Sequence, residues 1–442
     1  MTWETTFNQL MDALLPQLHG DERVQLSLTG EASQFTRFNR AKVRQTGSVT
    51  KGSMVLSLMQ RDRTISETLT FTGDKGLDWP RLLESLHALR AELDSLPSDP
   101  YLVLPSGTAT SREVYSGALL SPEAVVPTLL PLLEGLDAAG LYAGGRCVRA
   151  YADSIGQRHW FETETFTLDY SLFTEDGQAV KGTYAGRHWD DTAYASTLDA
   201  SKTLLGRMAQ ARKSLDRGQY RTYLAPAAVA ELVGMLSWGG IGEASIRRGG
   251  SALGPLHRGD RTLSPKFSLL EDFSQGQVPR FNPQGELAEL TLPLIDAGHL
   301  RNTLVSTRTA KEYDLASNWA DPSEALRSPV MAPGDLPTAD VLTALDTGLY
   351  VSNLHYLNWS DRPNGRITGM TRYACFWVEN GAIVAPIENL RFDESLYTFW
   401  GDALLDLTQE TMFVPEVGSY EYRHLGGSQV PGLLVDRFAY TL

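Results

Sequence analysis

The chain has 442 residues, 42% of them hydrophobic, and a formal net charge of −14 at pH 7. That length is enough for two ordinary domains with separate cores, and the apolar content argues against disorder. The negative surface repels phosphate backbones, so nucleic acid is not expected as a general partner. The opening Met1-Thr2-Trp3-Glu4-Thr5 is polar and acidic, unlike the basic lead of a secretion signal. No run of residues approaches the ~18 apolar positions of a membrane span, so no membrane is expected. Cys147 and Cys375 are far apart in sequence; a reduced pair, and hence a cytoplasmic protein, is the expectation.

Residues 4–18 place Phe7, Leu10, Met11, Leu14, Leu15 and Leu18 at helical spacing, which predicts a first helix. Short alternating segments follow at 24–28, 34–38, 42–46, 54–59 and 64–71, with Gly30, Asn39, Gly47, Gly52 and Asp62 between them. Even spacing of this kind predicts an antiparallel meander. A second helix is expected from Asp78 as cap, with Pro80 in its first turn and Leu82, Leu83, Leu86, Leu89 and Leu93 on one face, to an end near Pro97. Ser121-Pro122-Glu123 starts a third helix. Strands are expected at 147–152, 159–163, 165–173 and 180–188, and a long helix over 192–215. The first half therefore reads as α+β, with helices on an antiparallel sheet.

The domain boundary falls near 215–222, which divides the chain into 1–218 and 219–442. The second half begins with a strand at Tyr220–Leu224 and a helix over 226–238, then a Gly-rich stretch from Gly239 to Gly250. From residue 262 onward, β segments dominate, so the C-terminal half reads as a β-rich domain.

Familiar chemistry is scarce. The closest of the eight histidines, His159 and His188, stand far more than the one helical turn apart that a helix-borne zinc site requires. No Cys-x-x-Cys occurs. The Gly-x-Ser-x-Gly elbow is absent, since Leu253 stands where its last glycine belongs after Ser251. Cys375 lies in the apolar run Tyr373–Val378, where a thiol behaves as a small hydrophobe. Gly240-Ile241-Gly242 lacks the third glycine of a dinucleotide loop, Ser245 taking its place.

The order of several segments goes further. Phe35 to Gln45, then Leu292 to Ala310 with Gly298, Leu300, Leu304 and Arg308-Thr309-Ala310, then Gly348-Leu349-Tyr350-Val351 followed by Gly365, Val378-Glu379-Asn380-Gly381 and Pro386, together resemble the signature blocks of the TldD/PmbA peptidase family. The resemblance runs from about residue 20 to residue 440. It implies an N-terminal α+β domain, a C-terminal β-rich domain and dimeric assembly. In TldD-type subunits of that family, a His-Glu-x-x-x-His helix and a distant Cys bind zinc, with the Glu as the base that activates water. The substrates are unstructured peptides.

This sequence departs from that pattern. The helix that should carry the motif reads Val229-Ala230-Glu231-Leu232-Val233-Gly234-Met235-Leu236, with Glu231 alone. The segment that should hold the Cys reads Val417-Gly418-Ser419-Tyr420-Glu421-Tyr422. Asn282-Pro283-Gln284-Gly285 replaces an acidic turn, and Ala316-Ser317-Asn318-Trp319 replaces a Gly-rich segment. Both parts of the zinc site are missing together, as in a TldE-type subunit. The expectation is a subunit without its own cofactor, paired with a zinc-bearing TldD-type partner and enclosing an unstructured peptide. The alternative is a stand-alone homodimeric binding or scaffold protein. Candidate peptide contacts are Glu231 and the Asn380-Gly381 turn, whose chemistry also fits a plain hairpin.

Overall fold

A computed structural model describes residues 2–441. Helix α1 (Trp3–Leu14) is capped by Thr2, which accepts from the Thr5 amide, and it buries Phe7, Leu10, Met11 and Leu14. Three strands follow: β1 (Arg23–Asn39), β2 (Lys42–Gln60) and β3 (Arg63–Phe71). The five short strands expected here are therefore three long ones, because the glycines read as breaks lie inside them. Gly30 pairs with Gly52 across β1 and β2. A Cβ on Gly30 would come within 2.4 Å of the Trp3 ring, and one on Gly52 within 2.8 Å of Phe71. These positions are glycine because aromatic rings lie directly on the backbone.

Helix α2 (Lys75–Leu93) starts a turn before the expected position. Asp74 is its cap, accepting from the Gly76 amide at 2.7 Å. Asp78 is instead buried, and it accepts from the amides of Thr72 and Gly73 and from the Thr72 hydroxyl. Strand β4 (Thr110–Tyr115) was not foreseen. Helix α3 (Pro122–Leu129) begins at the Ser-Pro-Glu signal. Strands β5 (Asp137–Asp153), β6 (Arg158–Phe173) and β7 (Ala179–Gly186) complete the first sheet. Helix α4 spans Asp191–Met208, shorter than expected.

The first sheet runs β3-β2-β1-β5-β6-β4, with β7 also on β6; only β4 is parallel to its neighbour. Period-two alternation divides its faces. Leu26, Leu28, Met54, Val148 and Ala150 lie under α1 and α2. Phe38, Tyr142, Phe166, Leu168 and Tyr170 continue that face under α3 and α4. The other face carries Glu31, Ser33 and Arg37 on β1 and Thr163, Thr165, Thr167 and Asp169 on β6, and it turns toward the second half.

The second sheet is built from β8 (Gly218–Leu224), β9 (Leu269–Asp272), β10 (Thr291–Asp296), β11 (His299–Leu300), β12 (Pro329–Met331), β13 (Gly348–Asp361), β14 (Arg366–Glu379), β15 (Ala382–Pro386), β16 (Arg391–Ser395), β17 (Leu404–Pro415) and β18 (Gly427–Tyr440). Strand β18 pairs with β16, β16 with β14, β14 with β13, β13 with β8, and β8 back with β18, so these strands close a circuit. Helix α5 (Pro226–Met235) packs on it through Ala228, Val229, Leu232 and Val233, which join one core with Leu349, Val351, Leu433 and Val435. The Gly-rich stretch is not all loop: it contains α6 (Glu243–Arg247), with α7 (Gly254–Arg258) just beyond. Helices α8 (Thr307–Tyr313) and α9 (Val341–Leu345) interrupt the later β segments. The architecture is α+β, helices on an antiparallel sheet followed by a β-rich half. No helix among the described residues is long and apolar enough to cross a membrane.

Candidate functional site

The polar face of the first sheet and the second half enclose a cavity of about 570 Å³. One wall is Ser27, Thr29, Arg149 and Tyr151; the other includes Gly234, Ser237, Glu416 and His424. The cavity thus opens at the end of α5, where the resemblance places the zinc-binding helix, and beside the loop after β17, where it places the cysteine.

Glu231 lies one turn before Gly234 on α5, and both residues are exposed. Its carboxyl is accessible yet enclosed by protein on several sides. That enclosure raises its pKa above the usual carboxylate range, with the Glu416 charge adding in the same direction. Arg149, half-buried in the opposite wall, is shifted the other way by burial, which disfavours its charged form.

Zinc does not fit this donor set. No imidazole or thiolate accompanies Glu231 on α5, and loop 416–426 supplies only Glu416, Glu421 and His424. Among the described residues, no three His, Cys, Asp or Glu side chains come together in a group able to hold a metal. Cys147 and Cys375 are free and buried, and burial pushes the thiol of each up, Cys375 to about 11. Neither is a ready nucleophile.

Arg423, on the same loop but outside the cavity lining, docks into the first sheet. It is 3% exposed and reaches from the 416–426 loop into the polar sheet face. Its Nη2 donates to the Thr165 carbonyl and hydroxyl at 2.9 and 2.7 Å, and its Nη1 to the Gly145 carbonyl at 3.1 Å. Its own amide donates to Glu31, a buried carboxylate also held by Ser33 and by Lys51 at 3.5 Å. Gly145 has φ +145°, and a Cβ there would lie 2.2 Å from the Ala32 carbonyl; only glycine fits.

The turn Asn282-Pro283-Gln284-Gly285 makes a second contact between the halves. Asn282 Oδ1 accepts from the Gln284 and Glu286 amides, fixing the turn. Phe281 stacks on His159 of β6 at 5.2 Å. His159 Nδ1 pairs with the Ser111 hydroxyl at 2.9 Å, and Nε2 is buried without a hydrogen-bond partner among the described residues. Burial lowers this imidazole's pKa, so it is held neutral. A third contact joins α8 to the segment before β4: Arg308 pairs with Asp99 at 2.6 Å, and Lys311 donates to the Leu102 carbonyl.

The Asn380-Gly381 turn lies elsewhere. Both residues have positive φ, 52° and 74°, and they link β14 to β15 as a tight turn. The Gly381 amide donates to the Asp346 carbonyl beside α9, and neither residue lines the cavity. The structure therefore does not bring them to Glu231. Sequence reasoning passed over Arg423 and the polar alternation of β1. Glu31, Ser33 and Arg37 at period two were a legible signal that this face is not a simple core face.

The PmbA/TldA metallopeptidase C-terminal domain matches residues 217–441, and the chain belongs to this PmbA/TldD metallopeptidase family. The whole fold is similar to TldE from Thermococcus kodakarensis, with a TM-score of 0.79 at 13% identity over 99% of this chain and 100% of that one. It is similar as well to a proposed modulator of a DNA gyrase from Thermotoga maritima, with a TM-score of 0.76 at 13% identity over the full length of both chains. A further protein so described, from Bacteroides thetaiotaomicron, matches with a TM-score of 0.75 at 15% identity over 99% of this chain and 98% of that one. No curated protein sequence matches.

Proposed function

We propose that this chain is a TldE/PmbA-like subunit of a heteromeric peptidase, without zinc or catalytic residues of its own, which pairs with a zinc-bearing TldD-type partner. The observation that carries the reading is the cavity beside α5. It stands where a catalytic site would, yet its helix offers a lone glutamate and its loop lines it with Glu416 and His424 and no cysteine. The chain's own contribution is to bind and enclose. The polar sheet face and the cavity receive an unstructured peptide in extended form, held through main-chain hydrogen bonds that ask little of side chains. Catalysis then belongs to the partner, and this chain works in the cytoplasm.

The test is cleavage of an unstructured peptide by this chain alone, by a TldD-type paralogue from the same source alone, and by the two mixed. Activity in the mixture only, abolished by a chelator, is the expected result. Binding without any gain in cleavage would favour a stand-alone homodimeric scaffold, and cleavage by this chain alone would overturn the reading.

A further inference from the structure

Strand β2 is paired with β1 along its length, but β3 covers its other edge only from Gly52 to Gln60. From Lys42 to Lys51 that outer edge has no strand partner among the described residues, and Lys42 to Ser48 are all exposed. Proteins guard such edges because their free N–H and C=O groups pair readily with another extended chain. Among the described residues, no strand pairs with this one over Lys42–Lys51.

The same end of the sheet is basic. Arg44 of β2 and Arg37 of the neighbouring β1 line an open cleft of about 720 Å³ that crosses the sheet at this end, from Gln45 over β5 and Ser171 of β6 to Lys181 of β7. Among the described residues, neither arginine, nor Lys42, forms an ion pair. Lys181 and Asp169 in the same cleft neutralise each other at 2.6 Å. Arg40, at the hairpin tip, is only loosely paired with Asp137, at 3.6 Å with both side chains largely in water. On a chain of net charge −14, unpaired cations gathered at an open strand edge are a specific placement.

We infer that the free edge of β2, Lys42–Lys51, with Arg37 and Arg44 beside it, binds an unstructured acidic peptide as an added antiparallel strand. The main chain supplies the pairing and the cations select the acidic sequence. A second copy of this chain is disfavoured at the same edge, because antiparallel self-pairing would bring two such basic clusters onto one short ribbon. The inference rests on reading the chain as a peptide-binding subunit, and it places a contact on the first half, away from the Asn380-Gly381 turn.

The experiment uses the full chain and fluorescent, unstructured peptides of equal length that are acidic, neutral or basic, with binding read by polarisation at low and high salt. The acidic peptide should bind about tenfold more tightly than the basic one, with the preference fading in high salt. The double variant Arg37→Glu/Arg44→Glu should weaken acidic-peptide binding about tenfold or more. The control Lys75→Glu/Arg81→Glu, on the exposed side of α2, should leave it unchanged. In the unaltered chain, saturating acidic peptide should slow amide exchange across Lys42–Lys51, a readout that needs no variant. Binding indifferent to charge, or protection confined to other segments, overturns this inference and leaves the peptide-binding reading standing. If no peptide of any charge binds, both fall.

Discussion

Arg423 and Thr165 meet across the two halves of the chain: the guanidinium Nη2 donates to both the carbonyl and the hydroxyl of Thr165, at 2.9 and 2.7 Å, from a side chain almost wholly removed from water. One residue of a loop between β17 and β18 thereby satisfies acceptors on β5 and β6. Arg423→Ala leaves the Thr165 and Gly145 oxygens buried without donors, and it should cost about 3 kcal/mol. Urea unfolding measures that loss, and limited proteolysis should show loop 416–426 released. Lys has one donor centre instead of a planar fork, so Arg423→Lys should recover only part of the loss.

Glu271 gives the stability a pH dependence of known sign. It is fully buried and accepts from the Arg327 and Ser328 amides, while the guanidinium of Arg327 donates to the Pro279, Arg280 and Phe281 carbonyls. Burial outweighs these donors and raises its pKa from 4.5 to about 7. A folded pKa above the unfolded one means that this group's contribution is complete below pH 4.5 and is lost as pH rises through 7. The ceiling is on the order of 3 kcal/mol, at ~1.4 kcal/mol per unit. Glu271→Gln should remove that slope. The difference between parent and variant unfolding curves across this range isolates it from other groups, including His159, whose lowered pKa acts in the opposite direction.

Gly285 tests the second contact between the halves. Its φ is +77°, and a Cβ there would lie 2.0 Å from the Tyr151 ring. Gly285→Ala adds left-handed strain to a direct clash, and it should destabilise the chain by about 2–4 kcal/mol. Loss of the Phe281–His159 stack should follow, read as a change in the histidine's titration by NMR. Unaltered stability would mean that the turn does not dock as described.

Glu231→Gln separates a base from a bystander. With the proposed partner present, the variant should keep peptide cleavage within about twofold of the parent, because a lone carboxylate without metal ligands activates no water. A loss of a hundredfold or more would make Glu231 a catalytic residue of the assembly.

Much of the fold was legible because helix caps and apolar periodicity are local signals: α1 and α3 in the first half and the β8–α5 junction in the second stand close to where the sequence puts them. The errors share a cause. Gly30 and Gly52 read as turns because a sequence cannot show that Trp3 and Phe71 will lie across them. Asp78 read as a cap because its buried partners, Thr72 and Gly73, become visible only once the chain folds back. The departures from the zinc-binding pattern in Val229–Leu236 and Val417–Tyr422 are read from the sequence directly. The docking of Arg423 was not legible, since it finds its acceptors more than 250 residues away in sequence. The Asn380-Gly381 turn shows the reverse: its hairpin chemistry was plain, and its place beside α9 was not.

The measurement that tests the central claim most directly is the metal content of the purified full chain after dialysis, by inductively coupled plasma mass spectrometry. The account predicts well under one zinc per chain, since α5 and loop 416–426 offer no imidazole–thiolate set. One zinc per chain that survives dialysis would contradict it and place a metal site among His424, Glu416 and Glu231 after all.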